Sequence, residues 1–262
     1  MKLNKKLCLI AAGTAAVAAF PTAAMADEGV YVGIGAGVSL PGDSKNRGAF
    51  TGAVPATDDF GAIPNGTPLA WDTDFDTGFA LSGQVGYKFN NGFRLEVEAA
   101  YSRYDVGSHF DLLVGGANID GVDSAVLTRG PANPANPTVG AVIADGQGRV
   151  SNFGLFANVF YDIDTGTAFK PYIGAGAGVN WVDVDFRPSG VEVGSGNQAG
   201  IAYQLMAGAS YELSPRAELF GQYTYRANGN RADIDLDLLP ATLGIQNHQS
   251  LLTAGVRVKF GN

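Results

Sequence analysis

Residues 75–104 alternate apolar and polar side chains with period two on either side of a short Asn90-Asn91-Gly92 break, and this pattern restricts the fold more than any other. In the first arm Phe75, Thr77, Phe79, Leu81, Gly83, Val85, Tyr87 and Phe89 share one parity, against Asp76, Gly78, Ala80, Ser82, Gln84, Gly86 and Lys88. The second arm sets Phe93, Leu95, Val97, Ala99 and Tyr101 against Arg94, Glu96, Glu98, Ala100 and Ser102. Successive side chains of a strand point to opposite faces, so each arm reads as a strand with one apolar and one polar side. Both arms exceed the roughly five or six residues usual for globular strands. Aromatics stand near both ends of the apolar side. A strand crossing a bilayer obliquely needs about 9–11 residues and aromatic anchors at each interface, and these arms meet both demands.

The rule recurs in six further segments: Val30 to Val38, Phe153 to Ile163, Tyr172 to Trp181, Ile201 to Leu213, Ala217 to Tyr225 and Ser250 to Phe260. The total is eight strands, and no helical periodicity of comparable length accompanies them. Their connections alternate in length. Those after the second, fourth and sixth strands are short (Asn90-Asn91-Gly92, Asp164 to Phe169, Ser214-Pro215). Those after the first, third, fifth and seventh are longer, above all 40–74 and 107–149, the latter containing PANPANP at Pro131 to Pro137. Short turns on one side and long loops on the other are the habit of outer-membrane barrels. Trp181 lies on the lipid-facing parity but is followed there by Asp183 and Asp185, so the apolar zone stops at Trp181 and the strand continues above it. Phe89, Phe93, Tyr161, Tyr211 and Phe260 form the expected inner aromatic girdle; Phe75, Phe79, Tyr101, Phe153, Trp181, Tyr223 and Tyr225 form the outer one.

Residues 1–26 read as a secretory signal peptide. Lys2, Lys5 and Lys6 precede the apolar stretch Leu7 to Ala19, and Ala24-Met25-Ala26 supplies a small-x-small cleavage site. The barrel domain is then 27–262. Cys8, the one cysteine of the chain, falls inside the leader, so the exported part has no thiol for disulfides or thiolate metal sites. No apolar run reaches the length of a membrane helix. Removing the leader's three lysines from a net charge of −8 leaves −11. That acidity disfavours nucleic acid and anionic lipid as partners.

The signal peptide, the opening YVGIGAG strand, FANVFYD at Phe156 to Asp162, KPYIGAGAGV and the closing AGVRVKF together resemble the small outer-membrane β-barrel family, which includes OmpA-like transmembrane domains and opacity-type surface antigens. The resemblance implies an all-β, eight-stranded antiparallel up-and-down barrel in the cell outer membrane. Its implied surroundings are outer-membrane lipid and lipopolysaccharide, the barrel-assembly machinery and an extracellular partner. Two departures stand out: Gly261 and Asn262 follow the closing aromatic Phe260, and no sequence is left for a peptidoglycan-binding domain.

On the assigned parity Lys88, Arg94, Arg226, Arg257 and Lys259 face the interior with Glu96, Glu98, Asp162, Glu212 and Glu218. An eight-stranded interior is just wide enough to be filled by side chains, so these charges read as a mutually paired core rather than an open pore. The runs Gly33-x-Gly35-x-Gly37 and Gly174-x-Gly176-x-Gly178 open no helix and do not complete a dinucleotide fingerprint; inward glycines make room for bulky neighbours. Asp72, Asp74 and Asp76, and Asp233, Asp235 and Asp237, read as wetted strand extensions, with cation bridges to lipopolysaccharide phosphates as the alternative. His248 and Ser250 are similar to the His-x-Ser pair of some barrel lipid A deacylases, but no acidic residue follows to orient the histidine, and His109 lies in a loop. No catalytic, cofactor or metal site is therefore assigned. The expected role is surface interaction, envelope integrity or adhesion through the long loops. The alternatives are a narrow channel or a path for small hydrophobic compounds, and, more remotely, a lipid-modifying enzyme.

Overall fold

The computed structural model describes residues 28–190 and 193–260; the leader and the last two residues lie outside the described residues. The described chain is all-β apart from two short helices. It runs β1 (Gly29–Pro41), β2 (Ser44–Phe50), β3 (Pro68–Phe75), β4 (Gly78–Lys88), β5 (Phe93–Val114), β6 (Ala117–Asn118), α1 (Ala125–Thr128), α2 (Val139–Ile143), β7 (Gly148–Asp162), β8 (Phe169–Phe186), β9 (Gly194–Ser214), β10 (Ala217–Asn228), β11 (Ala232–Leu236), β12 (Ala241–Ile245) and β13 (His248–Phe260).

All strand pairs are antiparallel, and the hydrogen-bonded circuit closes by two routes. Near the short turns β1 pairs with β4 and β13, and the ladder continues β4–β5–β7–β8–β9–β10–β13. Farther up, β1, β4, β10 and β13 stop while β5, β7, β8 and β9 run on. The gap between β5 and β9 is then filled by β3, β2, β12 and β11 in that order. Two stacked rings thus share four continuous staves.

The strand count differs from the eight read in the sequence: the described residues hold thirteen. The added strands come from the long connections. Residues 40–74 supply β2 and β3, and the stretch after β10 supplies β11 and β12. Residues 107–149 hold the upper end of β5, β6 and both helices. These added strands are short, and although β11 and β12 form a local hairpin, the ring closes only through the distant pairs β12–β2, β11–β9 and β3–β5.

One outer-girdle assignment is also corrected. Phe75 closes β3, and a register shift separates Asp74 from Phe75 opposite β5. Buried positions are odd in β3 (Leu69, Trp71, Thr73) but even in β4 (Ala80, Gln84, Lys88). The extra residue of the shift lies on β5, where Ser108 and Val106 face Asp74 and Phe75, so Phe75 keeps the buried parity of β3 and the parity changes between β3 and β4. Phe75 therefore leaves the lipid-facing parity and packs edge-on against Tyr104, ring centroids 5.2 Å apart.

The lower ring is inside-out relative to a soluble domain. Ile34, Leu81, Val97, Ile173 and Leu205 are exposed, whereas Lys88, Arg94, Glu96, Glu98 and Arg257 are buried. At the Asn90-Asn91-Gly92 turn, Phe89 N–H donates to the Phe93 carbonyl at 2.8 Å, and Gly92 takes φ +86°, a left-handed value suited to glycine. In the upper ring the polarity inverts. Along β5 the buried series runs Arg94, Glu96, Glu98, Ala100, Ser102, Tyr104 and Val106, and continues past the irregularities opposite β3 with His109 and Leu112. The upper ring encloses an apolar core that includes Phe50, Leu69, Trp71, Val139, Val184, Phe186, Ile234 and Leu243.

Candidate functional site

The interior is layered, and the lowest layer is an ion-pair lattice. The Arg94 guanidinium reaches Asp162 at 3.3 Å and Glu96 at 3.4 Å, and lies over the Phe160 ring at 4.2 Å. Tyr31 donates its hydroxyl to Glu96 at 2.7 Å while accepting from Arg94 at 3.2 Å. Arg226 sits 4.3 Å over Phe156 and donates to Gln204 and to Glu98. Gln204 and Asn158 both donate to Glu98, at 2.7 and 3.1 Å. Arg257 pairs with Glu218 at 3.2 Å and stacks 4.0 Å above Phe220. Buried charges of both signs are tolerable here because each is paired and hydrogen-bonded. The planar guanidinium is suited to this role, since it stacks on rings while its edge binds carboxylates. The lattice crosses the ring from β1 and β5 to β8 and β10.

Above it lies a belt of amides and hydroxyls. Ser39 and Ser102 both donate to Gln249, at 2.7 and 2.9 Å. Asn180 donates to Asn152 and Asn228, Tyr104 donates to Asn247, and Asn247 bonds Asn152. Asn46 donates to Thr73 at 2.7 Å, and the Thr73 hydroxyl stands 2.8 Å from His109 Nδ1.

The top layer is apolar and holds a cavity of about 470 Å³. Its walls include Leu69, Trp71, His109, Leu112, Ile143 and Phe186, and its described lining carries no Asp, Glu, Lys or Arg. His109 sits on the upper part of β5, above the apolar outer band, with its ring edge-on to Phe186 at 4.8 Å and to Trp71 at 6.1 Å. Burial pushes its imidazole down to about 4, with Asp145 pulling weakly the other way. Trp71 Nε1 and His109 Nε2 are buried without a hydrogen-bond partner among the described residues.

The ten charged residues assigned inward from the sequence all take part in this interior, and ion pairs join them. Lys170, missed because the strand was begun at Tyr172, joins them by pairing with Glu212 at 3.0 Å. The glycine reading matches the geometry: a Cβ on Gly174 would stand 2.3 Å from the Phe160 ring, and one on Gly35 3.1 Å from Phe220. Trp71 and His109 were not singled out as a pair, since 38 positions separate them and no motif links them. His248 and Ser250 do share a face, but the Ser250 hydroxyl lies 3.0 Å from Tyr223 OH. The aspartates disperse: Asp72 pairs with Arg47 at 3.0 Å, Asp235 accepts from Thr242, and the Asp74 carboxyl is raised by burial and by Asp43. No three His, Cys, Asp or Glu side chains gather as a metal-binding group among the described residues.

Comparison with known proteins agrees with this architecture. An outer membrane protein of Gluconacetobacter diazotrophicus is 28% identical over 227 residues, covering 80% of this chain and 50% of that protein, so the chain spans about half the relative's length. The crystal structure of OprG from Pseudomonas aeruginosa superposes with a TM-score of 0.56 at 15% identity, covering 90% of this chain and 98% of OprG. Neisserial surface protein A is 22% identical with a TM-score of 0.43, over 88% of this chain and 97% of its own. The surface antigen family profile matches residues 70–261, well over half of the sequence. The chain thus belongs to the surface antigen family and is an outer-membrane β-barrel protein.

Proposed function

We propose that the lower ring is an eight-stranded transmembrane barrel with a closed lumen, and that the upper ring is an extracellular cap presenting a rigid interaction surface. Residues 1–26 serve as the export signal, and the barrel-assembly machinery inserts the rest. The work is structural or adhesive, without an enzymatic step. The observation that carries this reading is the stack of Arg94, Arg226 and Arg257 on Phe160, Phe156 and Phe220, each guanidinium also paired with a carboxylate. Ions crossing here must break several such pairs at once, and an eight-stranded ring leaves little spare width.

The apolar cavity favours a second reading, in which small hydrophobic compounds are handled by the cap. The charged lattice beneath offers them no apolar route downward, so the cavity supports binding more than passage. Planar-bilayer recordings on the refolded chain test the closed lumen. Silence or brief small events are expected; large, steady conductance steps overturn it. Replacing 107–149 by a short turn tests the surface role, with partner binding lost and permeability unchanged.

A further inference from the structure

Trp71 and His109 line a mainly apolar cavity whose other polar side chains are Ser124, Thr128 and Asn136, and the indole nitrogen and one imidazole nitrogen have no partner among the described residues. Trp71 Nε1 carries a proton and only donates. For His109 the neighbouring bonds choose the tautomer. Thr73 is fully buried and its hydroxyl has two partners among the described residues: it accepts from Asn46 Nδ2 at 2.7 Å, so its own proton finds an acceptor only at His109 Nδ1, 2.8 Å away. A neutral imidazole that accepts at Nδ1 carries its hydrogen on Nε2. Both orphan nitrogens are therefore donors. Trp71 and His109 are 7% and 3% exposed, so bulk water does not satisfy them. Their ring centroids stand 6.1 Å apart at 79°.

The rest of the wall decides what accompanies that acceptor. Leu69, Leu112, Ile143 and Phe186 offer apolar contact, and the described lining has no cation to balance a carboxylate and no anion to balance an amine. The volume, about 470 Å³, lies within the range of small-molecule sites. We propose that the cap binds an uncharged, largely apolar small molecule with one ester or ketone group, whose oxygens accept from Trp71 Nε1 and His109 Nε2. This site is independent of whether the lumen conducts: it lies in the upper ring, above the amide belt.

Trp71 makes the test direct, because Trp181 is the one other tryptophan in the chain and faces outward. In a Trp181→Phe chain held in lipid nanodiscs, Trp71 emission is titrated with three probes. These are a bromoalkyl methyl ester, the bromoalkane of equal length and the corresponding carboxylate; bromine quenches indole on contact. Empty nanodiscs and a chain lacking 107–149 correct for partitioning into lipid. Saturable quenching is expected, with the ester binding roughly 3–10-fold more tightly than the alkane, the range of one or two net hydrogen bonds. The carboxylate should bind more weakly than the ester. His109→Phe, read by the same quenching, should remove most of the ester's advantage and leave the alkane unchanged. Equal affinity for ester and alkane, tighter binding of the carboxylate, or no saturable quenching overturns the proposal. The wild-type comparison alone suffices if the variant fails to fold. Conductance measured on the same nanodisc protein after transfer to planar bilayers reports the closed lumen separately.

Discussion

Trp181 and Val182 are consecutive on β8 and mark the same height from opposite sides of the wall. Trp181 is the last apolar residue of the outward series, tilted against Phe153 at 5.7 Å, and Asp183 and Asp185 follow it outward. Val182 is the first large apolar residue of the inward series after Asn180, and Val184 and Phe186 follow it inward. The apolar face of the strand thus passes from the outside of the wall to the inside within one peptide unit.

That inversion separates two kinds of leucine. Leu243 is fully buried in the upper core, whereas Leu219 is exposed on the outer band. Leu243→Ala should cost about 2–5 kcal/mol of cap stability by leaving a cavity. Leu219→Ala exchanges lipid contact for lipid contact and should cost far less. Hydrogen exchange at β12 amides checks the first, and denaturant unfolding in bilayers checks the second.

Arg94 connects Asp162, Glu96 and Tyr31. Arg94→Ala should destabilise the lower ring by about 3–5 kcal/mol, since carboxylates are left buried without their cation. It should also raise the frequency of brief openings in bilayer recordings. Unchanged unfolding in urea would contradict the paired-core account.

Gly174 is a matter of space. Its hypothetical Cβ falls on the Phe160 ring, and that ring carries Arg94. Gly174→Val should displace both and lower stability by about 1–3 kcal/mol or more through overpacking. Heat-modified mobility of the refolded protein in gels reads this loss.

His109 makes the cap sensitive to acid. Its folded value, about 4, lies below the ordinary 6.5, so the folded cap favours the neutral ring. The unfolded segment binds the proton first as pH falls. Stability from this group is therefore complete above pH 6.5 and declines as pH drops toward 4. Asp145 moderates the shift, and Asp74, raised by burial and by Asp43, contributes with the opposite sign. The readout is thus the difference between wild type and His109→Phe: the protection factors of upper β5 amides, corrected for intrinsic exchange, should fall between pH 6.5 and 4 in wild type, and less in the variant.

Much of this molecule is legible in its sequence, and the limits have physical causes. The long strands announce themselves because lipid outside and charge inside enforce period two over ten or more residues. The turn at Asn90-Asn91-Gly92 and the stop at Trp181 follow from the same rule. Phe75 misleads because the change of parity between β3 and β4 leaves no mark on composition. β2, β3, β11 and β12 are hidden because Phe50, Leu69 and Leu243 become core only after distant segments meet. Val182, Val184 and Phe186 were readable: their alternation with Asp183 and Asp185 is the mirror image of the pattern below. The Trp71–His109 pair is a product of folding alone.

The four staves shared by both rings have an architectural consequence. Along the opposite wall the rings are joined only at Gly42-Asp43, Asp76-Thr77, residues 229–231 and Gln246-Asn247. The stretches 44–75 and 232–245 are therefore excursions that leave the lower circuit and return to it. Excising both, with tight turns from β1 to β4 and from β10 to β13, removes half of the upper wall yet breaks no ladder of the lower ring. Neither excursion shares a ladder with β1, β4, β10 or β13, so half of the upper wall can be removed without touching a backbone pair of those four strands.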